Sequence, residues 1–527
     1  MQPEPASKTS SPRRKYFFYG VIFELLLIAS CFLSDSWLVV ETRNFFIITH
    51  TPLLLLTEGL RSEAFGLAGF LFIIGGLVLM AWVWGFSLRI ILKGVSLIVV
   101  RLNSRQRRFG WLMIGVGSLA GFGFLVFSAL AQMPRPFATT PEIQSVVEAN
   151  NAFALDLYQK LKTESGNVFI SPFSISSALA MTSVGARGQT EAEMTNVLHY
   201  GLPPKKLHPA FKSLMARLAG LQRWNRIELD QANSLWGQKD YSFTPDFLKV
   251  IQENYSAQAR AVDFINSRSA AADEMSRWID TQTKHKIPAA IAPEQLTENT
   301  RLALVNTIYF KGDWQYQFKK KDTKPSPFQI TTNETVTVPM MWQSAPFKHA
   351  MTEDDSVEML ELPYVGQDLS MVILMPWQSK YATADEDRHD LAELEAKLTN
   401  ENLRSWLKVL DGKNPHKTSV SLPRFTTKSS FNLVNALKSL GMASAFSNVA
   451  DFSGMDGSKN LYLSDVLHQS FVEVNETGTE AAAMTIALVK TKGMDDRCIV
   501  DHPFLFLIRD NGSGSILFLG RIMNPTK

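Results

Sequence analysis

Long apolar runs dominate the first quarter of the chain. Residues 64–86 and 109–131 each pass through 23 positions without a charged side chain. Residues 16–34 form a third apolar run, interrupted only by Glu24. A helix rises 1.5 Å per residue, so runs of this length can cross the roughly 30 Å hydrocarbon core of a bilayer. We therefore predict a membrane region at residues 1–133 with about three transmembrane helices at 16–34, 64–86 and 109–131.

The basic residues predict an orientation for this region. Lys8, Arg13, Arg14 and Lys15 precede the first run, and the segment between the second and third runs contains six basic residues and no acidic one. Because positively charged loops stay on the cytoplasmic side, the chain after residue 131 is expected outside the cytoplasm, in an extracellular or periplasmic space. The short apolar stretch 44–56 is interpreted as interfacial or re-entrant. The lipid bilayer is thus one predicted partner.

The pattern changes after a linker at residues 134–142 that contains three prolines. Apolar residues recur at helical spacing over 145–162, and the following chain mixes strand-like and helical runs irregularly. The strand-like runs are 227–235, 302–310, 336–341, 358–363, 369–375, 420–423, 504–508 and 516–521. The helical runs include 175–185, 245–255, 270–283, 391–397 and 431–440. This irregular order indicates an α+β domain over residues 143–527.

Composition excludes several classes of function. The net charge is +3 over 527 residues, and no basic stripe interleaved with aromatic residues occurs, so nucleic acid is not an expected partner. Only Cys31 and Cys498 are present, which excludes a disulfide framework and a Cys-based zinc site. The G-x-S-x-G, H-E-x-x-H and paired C-x-x-C motifs are also absent. The sequence therefore predicts neither an enzyme, nor a metal site, nor a cofactor.

Six segments identify the C-terminal domain. They are N-V-F-I-S-P-F-S-I-S-S-A-L-A-M at 167–181, G-A-R-G-Q-T-E-A-E-M at 185–194, L-V-N-T-I-Y-F-K-G-D-W at 304–314, E-T-G-T-E-A-A-A-M-T at 476–485, and D-H-P-F-L-F-L-I-R with S-I-L-F-L-G-R-I-M-N-P at the C-terminus. Over residues 141–527 the chain resembles the serpin family of serine protease inhibitors. Its first 140 residues resemble no family that we can name.

The resemblance implies a fold of three β-sheets, about nine helices and an exposed reactive loop. It also implies suicide inhibition, in which a target protease cuts the loop, and the cut loop then inserts as a strand into a sheet. A protein of this kind is a protease inhibitor and not an enzyme. We expect a monomer whose partner is a serine protease.

Two family spacings locate the bond that the protease attacks. Fourteen residues beyond the hinge glycine Gly478, and eleven before Pro503, both lead to Lys492, which places the reactive bond at Lys492–Gly493. Lys490 and Arg497 are the competing basic residues. A lysine at this position would fill the acidic specificity pocket of a trypsin-like protease.

The hinge composition suits insertion into a sheet, where alternate side chains face the core. One parity after Gly478 contains Thr479, Ala481, Ala483 and Thr485, which are small and uncharged. The other parity contains Glu480, Ala482 and Met484. The only charge near the start of the segment therefore falls on the outward face, and no proline removes a ladder donor.

The resemblance also assigns residues that control opening of the sheet. Ser171, Ser174, Asn306 and His468 match the buried polar cluster at which the central strands part. Trp314 is expected where the hinge enters the sheet, and Glu476 is expected to restrain the hinge before cleavage. From the residues alone, Ser174 is predicted to cap helix 175–185.

Two other functions remain open at this stage. The chain could be a serpin-fold binding protein or chaperone that does not inhibit. It could also be a membrane sensor or transport module with a serpin ectodomain, although its apolar runs contain few of the polar residues that a transport path needs.

Overall fold

The computed structural model describes residues 139–222, 227–283, 285, 291–297, 300–354, 356–377, 390–478 and 496–527. The chain divides into two units, Met1–Met133 and Pro134–Lys527. The first unit, with the three predicted spans, lies outside the described residues. Among the residues that are described, none of the helices combines the length and the apolar character needed to cross a bilayer.

The described residues of the second unit form ten α-helices and fourteen strands. The helices are α1 (Pro141–Leu161), α2 (Pro172–Ser183), α3 (Gly188–Val197), α4 (Pro204–Gln222), α5 (Pro245–Tyr255), α6 (Arg268–Gln282), α7 (Leu391–Lys397), α8 (Asn400–Asp411), α9 (Val434–Leu440) and α10 (Ser453–Asp456). The strands are β1 (Val168–Ile170), β2 (Ile227–Gln238), β3 (Gln258–Val262), β4 (Leu302–Gly312), β5 (Lys324–Thr331), β6 (Glu334–Met351), β7 (Val357–Pro363), β8 (Leu369–Pro376), β9 (His416–Pro423), β10 (Phe425–Asn432), β11 (Leu463–Val474), β12 (Asp496–Ile499), β13 (Phe504–Asp510) and β14 (Ile516–Ile522). The α+β class predicted from the sequence is confirmed.

A five-stranded sheet has the order β10-β11-β4-β2-β3. Its central pair, β11 and β4, runs parallel, whereas β10–β11 and β4–β2 are antiparallel. β4 is buried along almost its whole length, because helices pack on both faces of the sheet.

The second sheet contains nine strands in the order β1-β14-β13-β8-β7-β6-β9-β12, and β5 pairs with β6 beside this path. The resemblance implied three sheets, but two of these are joined here. β6 is 18 residues long and belongs to both: its Met340–Phe347 segment pairs with β9 and its Lys348–Met351 segment pairs with β7. A strand long enough to leave one sheet and enter the next removes the boundary between them.

The main core is built around the hairpin β13–β14, whose residues are all buried. Phe169 of β1 stacks on Phe518 and Phe506 at ring-centroid distances of 5.2 Å and 5.7 Å. Phe506 pairs with Gly520, and a Cβ atom at Gly520 would lie 2.3 Å from its ring. The continuous apolar runs of these two strands thus fill a core from both faces.

Two helix starts were predicted wrongly, and one strand of the site was missed. Helix α2 begins at Pro172 and not at Ile175, and its N-cap is Ser171, whose hydroxyl accepts a hydrogen bond from the backbone N–H of Ser174. The proline fits the first helical turn because it needs no N–H partner there. The helix expected over 431–440 begins only at Val434, because the preceding residues pair with β11. Strand β11 itself was not predicted.

Candidate functional site

The parallel pair of β4 and β11 is the place where the predicted site residues meet. Here "the seam" means the paired segments Leu463–Phe471 of β11 and Leu302–Tyr309 of β4. Strand β11 leads directly into residues 475–478, where the chain turns, and the predicted reactive loop follows. The seam therefore ends next to the turn that precedes the predicted loop.

One side-chain pair crosses the seam inside the protein. His468 of β11 and Asn306 of β4 are opposite each other, and His468 Nδ1 lies 2.6 Å from Asn306 Oδ1. The backbone N–H of Ser171 donates to His468 Nε2 at 3.2 Å. Nε2 is therefore an acceptor, which makes Nδ1 the protonated nitrogen that donates to Asn306. A strand cannot enter the seam without breaking this bond.

Ser174 and Asn233 hold the Asn306 side chain in place through hydrogen bonds. Its amide Nδ2 donates to Ser174 Oγ and to Asn233 Oδ1, both at 2.5 Å. Ser171 Oγ donates to the carbonyl oxygen of Leu517 at 2.7 Å, which connects the cluster to the core hairpin. The four residues that the resemblance assigned thus lie together, and all are buried.

Burial controls the protonation of this cluster. Desolvation lowers the pKa of His468 from its usual value near 6.5 to about 3, and no charged partner opposes the effect. The imidazole is therefore neutral at physiological pH, as its two hydrogen bonds require.

The opposite face of the seam is covered differently along its length. Helix α6 packs Ala271, Ala272, Met275 and Ile279 in one cluster with Val305 of β4 and Leu467 of β11. Nearer the loop, Tyr309 and Phe471 stack across the seam with ring centroids 5.9 Å apart and an interplanar angle of 20°. Lys428 of β10 lies over the Phe471 ring at 5.5 Å. Opening of the seam must displace the helix and separate these two rings.

The seam also contains poorly satisfied polar atoms. Thr307 and Gln469 are opposite each other, and their buried side-chain oxygens make no hydrogen bond to a described protein atom. A buried polar atom without a partner costs about 1–3 kcal/mol. The closed seam is consequently less stable than its backbone pairing alone would suggest.

Residues 475–478 form a tight turn at the end of β11. Asn475 and Gly478 make an antiparallel bridge, and the side-chain oxygen of Asn475 accepts from the backbone N–H and hydroxyl of Thr477 at 3.1 Å and 2.8 Å. The turn therefore reverses the chain by Gly478, the last described residue before the predicted loop.

Two structural features require a glycine at position 478. Its φ of +100° lies in the region that favours glycine. A Cβ atom there would also lie 2.2 Å from the carbonyl oxygen of Gly312 and 2.5 Å from the backbone nitrogen of Trp314. The turn thus rests directly on the end of β4, so that it spans the mouth of the seam.

Trp314 and Glu476 hold this turn in place. Trp314 Nε1 donates to the carbonyl oxygen of Asn475 at 3.0 Å, and its backbone N–H donates to that of Thr477 at 3.1 Å. The Trp314 ring stacks on Tyr364 at 4.7 Å. The buried carboxylate of Glu476 accepts from Thr323 Oγ1 at 2.9 Å and lies 3.7 Å from Arg424 Nη1. Both residues thus contact the turn that precedes the predicted hinge, and their roles in hinge entry and restraint stay predictions.

The rest of the predicted loop lies outside the described residues. This applies to the hinge residues Thr479, Glu480, Ala481, Ala482, Ala483, Met484 and Thr485, and to the reactive bond Lys492–Gly493. Their assignments stay predictions. The structure fixes the two ends between which the loop runs, Gly478 and Asp496.

Sequence reasoning missed three parts of the site: Asn233, the aromatic pair Tyr309–Phe471, and the cover provided by α6. Asn233 lies in a mostly polar segment of β2, Asp230–Ser234, so no local pattern marks it as a buried hydrogen-bond partner. The aromatic pair depends on the register between two strands, which brings together residues 162 positions apart, and no local pattern gives that register.

Comparisons with known proteins agree with this geometry. A family profile described as serpin (serine protease inhibitor) matches residues 148–525. The leukocyte elastase inhibitor of Bos taurus is 42% identical over 387 residues, which cover 73% of this chain and all of that protein. Among solved structures, Serpin48 of the insect Tenebrio molitor is 33% identical with a TM-score of 0.63, covering 72% of this chain and 98% of that one. Human thyroxine-binding globulin is 29% identical with a TM-score of 0.65, covering 73% of this chain and all of that one.

The buried histidine predicts a pH dependence. Between about pH 3 and 6.5 the unfolded chain binds a proton at His468 that the native cluster does not bind. The free energy of unfolding should therefore fall as the pH is lowered through 6.5, by up to about 1.4 kcal/mol per pH unit for this group. Urea unfolding at pH 7, 6 and 5, followed by tryptophan fluorescence, measures the slope. In His468→Gln that slope should decrease.

His199→Gln is the matched control, because His199 is exposed and pairs with the exposed carboxylate of Asp156. It should keep the slope of the natural protein. Equal slopes for the natural protein and His468→Gln between pH 6 and 5 would contradict the assignment of a neutral buried imidazole.

Proposed function

The chain belongs to the serpin family of protease inhibitors, and from this premise we propose that it inhibits trypsin-like serine proteases by cleavage at Lys492–Gly493 followed by insertion of the cut loop into the seam. The observation that carries the proposal is the position of the Asn475–Gly478 turn. It lies at the mouth of a closed parallel seam and reverses the chain at Gly478, where the predicted loop begins.

Strand direction favours this insertion. β4 and β11 are parallel, and the loop leaves the end of β11 through a reversing turn. A strand that entered between them would be antiparallel to both. One parallel ladder would be replaced by two antiparallel ladders, which are slightly more stable per residue. About ten additional backbone hydrogen bonds at roughly 1 kcal/mol each would give a driving force on the order of 10 kcal/mol.

The same turn supplies a register for the inserted strand. If the bridge between Asn475 and Gly478 continues as an antiparallel ladder, Thr479 comes opposite Val474, and the following odd-numbered residues come opposite Val472, Ser470 and His468. Paired residues on neighbouring strands point to the same face. Val472 and Val474 are buried in the main core, so Thr479, Ala481, Ala483 and Thr485 would face inward. Glu480 would come opposite Glu473 on the outer face.

The chemistry is supplied by the protease. Its serine Oγ attacks the Lys492 carbonyl carbon, an ester bond forms, the peptide bond to Gly493 breaks, and the released amine takes up a proton. Fourteen inserted residues at about 3.3 Å each would move the ester by roughly 45 Å. Distortion of the tethered protease would then remove oxyanion-hole contacts, each worth about 10²–10³ in rate, so that hydrolysis of the ester stalls.

Cleavage is required because the loop is fixed at both ends. Seventeen residues, 479–495, join Gly478 to Asp496, the first residue of β12. As long as both ends are held, the loop cannot fill the seam. The cut frees one end, so that the loop can enter the seam and form the additional backbone hydrogen bonds.

The specificity proposal rests on Lys492. The bovine and insect relatives are named as an elastase inhibitor and a highly specific serpin, respectively. The specificity pocket of elastase is small, however, whereas that of trypsin contains an aspartate that suits a lysine. We therefore propose a trypsin-like target for this chain.

Incubation of the full chain with trypsin tests the proposal. A 1:1 complex that survives boiling in SDS is expected. Lys492→Ala should slow complex formation at least about 100-fold, because the protease aspartate loses its charged partner at a cost of roughly 3 kcal/mol.

Lys490→Ala is the matched control and should form the complex at the natural rate. An unaltered rate for Lys492→Ala would contradict the assigned bond. Cleavage at Lys492 without a stable complex would favour a serpin-fold binding protein or chaperone that does not inhibit.

We also propose that the N-terminal region anchors this inhibitor in a membrane, with the serpin domain outside the cytoplasm. The support is the sequence pattern alone: three apolar runs and an asymmetric distribution of basic residues. A loop displayed on the outer side could meet secreted proteases at the cell surface.

Limited proteolysis of intact cells tests the orientation. Trypsin added outside should react at Lys492, whereas Arg105, Arg107 and Arg108 in the basic segment should be protected until the cells are lysed. If Lys492 is protected and the basic segment is cut, the proposed topology is reversed.

A further inference from the structure

A cluster of metal-binding side chains lies at the far end of the reactive loop, where β12 begins. His349 of β6, His416 of β9 and Asp496 of β12 present ring nitrogens and a carboxylate oxygen within 4.8 Å of one another. Asp496 is the first residue after the loop, and the mechanism above uses none of these three side chains.

The distances suit a tetrahedral metal ion. His349 Nδ1 lies 3.3 Å and His416 Nε2 lies 2.8 Å from Asp496 Oδ2. Zinc bonds to nitrogen and oxygen are about 2.0–2.2 Å long, which places neighbouring ligand atoms of a tetrahedron about 3.3–3.6 Å apart. The first distance matches this spacing and the second is about 0.5 Å shorter, so side-chain movements would be needed to admit an ion. The side chains of Asp496 and His416 are about half exposed, so solvent could supply the fourth ligand.

Both histidines are already oriented for this role by their second ring nitrogen. His349 Nε2 lies 2.8 Å from Glu358 Oε1, and His416 Nδ1 lies 3.4 Å from the carbonyl oxygen of Asn414. A hydrogen bond of this kind places the proton on the outer nitrogen and leaves the inner nitrogen free to bind a metal. The exposed pair His199–Asp156 has the same two residue types at 2.7 Å. No third potential metal ligand among the described residues completes a site there.

We propose that His349, His416 and Asp496 bind a divalent transition-metal ion of the Zn²⁺ class, with Glu358 orienting His349. Nitrogen and oxygen ligands of this set suit zinc and related ions better than Mg²⁺ or Ca²⁺. The ion would join β12 to β6 and β9 through side chains.

The proposed metal site lies where it could restrain β12, at the far end of the reactive loop. β12 has four residues and pairs only with β9 among the described strands. An uncut loop could enter the seam only if β12 detached and released the far end of the loop. Because Asp496 would leave the metal in that event, Zn²⁺ at 100 times its dissociation constant would lower the detached population about 100-fold. The site would thus hold the far end of the loop in its intact position.

Titration of the full chain with Zn²⁺ alone, without a polyhistidine tag, tests the binding by calorimetry. One ion per chain should bind at this site. His416→Gln and Asp496→Asn should each weaken binding by more than tenfold, and Glu358→Gln by about 10–100-fold. His199→Gln is the matched control and should bind as the natural protein does.

Amide hydrogen exchange gives a second readout that is independent of any protease. Zn²⁺ should slow exchange of the β12 amides in the natural protein and in His199→Gln, but not in His416→Gln. The metal site is refuted if the natural protein takes up no zinc at this site or if His416→Gln binds zinc equally well. If zinc binds with unchanged exchange in β12, the clamping role is refuted.

Discussion

The parallel pairing of β4 with β11 is the interaction on which the rest of this structure depends. It keeps the sheet closed, and the proposed loop insertion requires these two directly paired strands to part. His468 and Asn306 bridge the pair on its inner face, and Tyr309 and Phe471 stack across it on the outer face. The opposed Thr307 and Gln469 side chains contribute buried oxygens without described protein partners. The closed sheet therefore combines specific bonds across the seam with incomplete satisfaction of its polar groups.

The surrounding elements stabilise the closed pairing of β4 with β11. Helix α2 carries Ser171 and Ser174 to the inner face, and the core hairpin β13–β14 supports that helix through the Leu517 carbonyl group. At the mouth of the seam, Gly478 lets the chain turn against β4, and Trp314 and Glu476 fix the turn. These contacts fix the turn at residues 475–478, from which the predicted loop starts. At the other end of the loop, the proposed metal site would do the same for β12.

Much of the fold followed from sequence because its segments carry strong local signals. The apolar runs of β13, β14 and β4 and the helical spacing of α5 and α7 required no tertiary information. Strand β11 could not be predicted from the sequence in this way, since its buried His468, Gln469 and Ser470 lack the apolar pattern of a core strand. Ser171 was assigned to the polar cluster through the resemblance, but its capping role was given to Ser174, because Pro172 obscured where the helix starts.

Features that join distant segments were beyond sequence reasoning. His349 and His416 are 67 residues apart, and Asp496 lies 80 residues further, so no spacing rule identifies them as one site. The Tyr309–Phe471 stack depends on a strand register that only the folded sheet defines. The merging of two expected sheets through β6 has the same origin, because the sequence shows where a strand begins but not which neighbours it serves.

Reaction of trypsin with Thr479→Arg and Glu480→Arg most directly tests whether the loop enters the seam in the proposed register. Each variant places an arginine at the start of the loop. In the proposed register, position 479 would face the buried side of the sheet with Val472 and Val474, whereas position 480 would face outward. Burial of an unpaired charge is prohibitive, so Thr479→Arg should be cut without retaining the protease. Glu480→Arg should still form the SDS-stable complex. Equal trapping by both variants would contradict insertion of the loop into the seam.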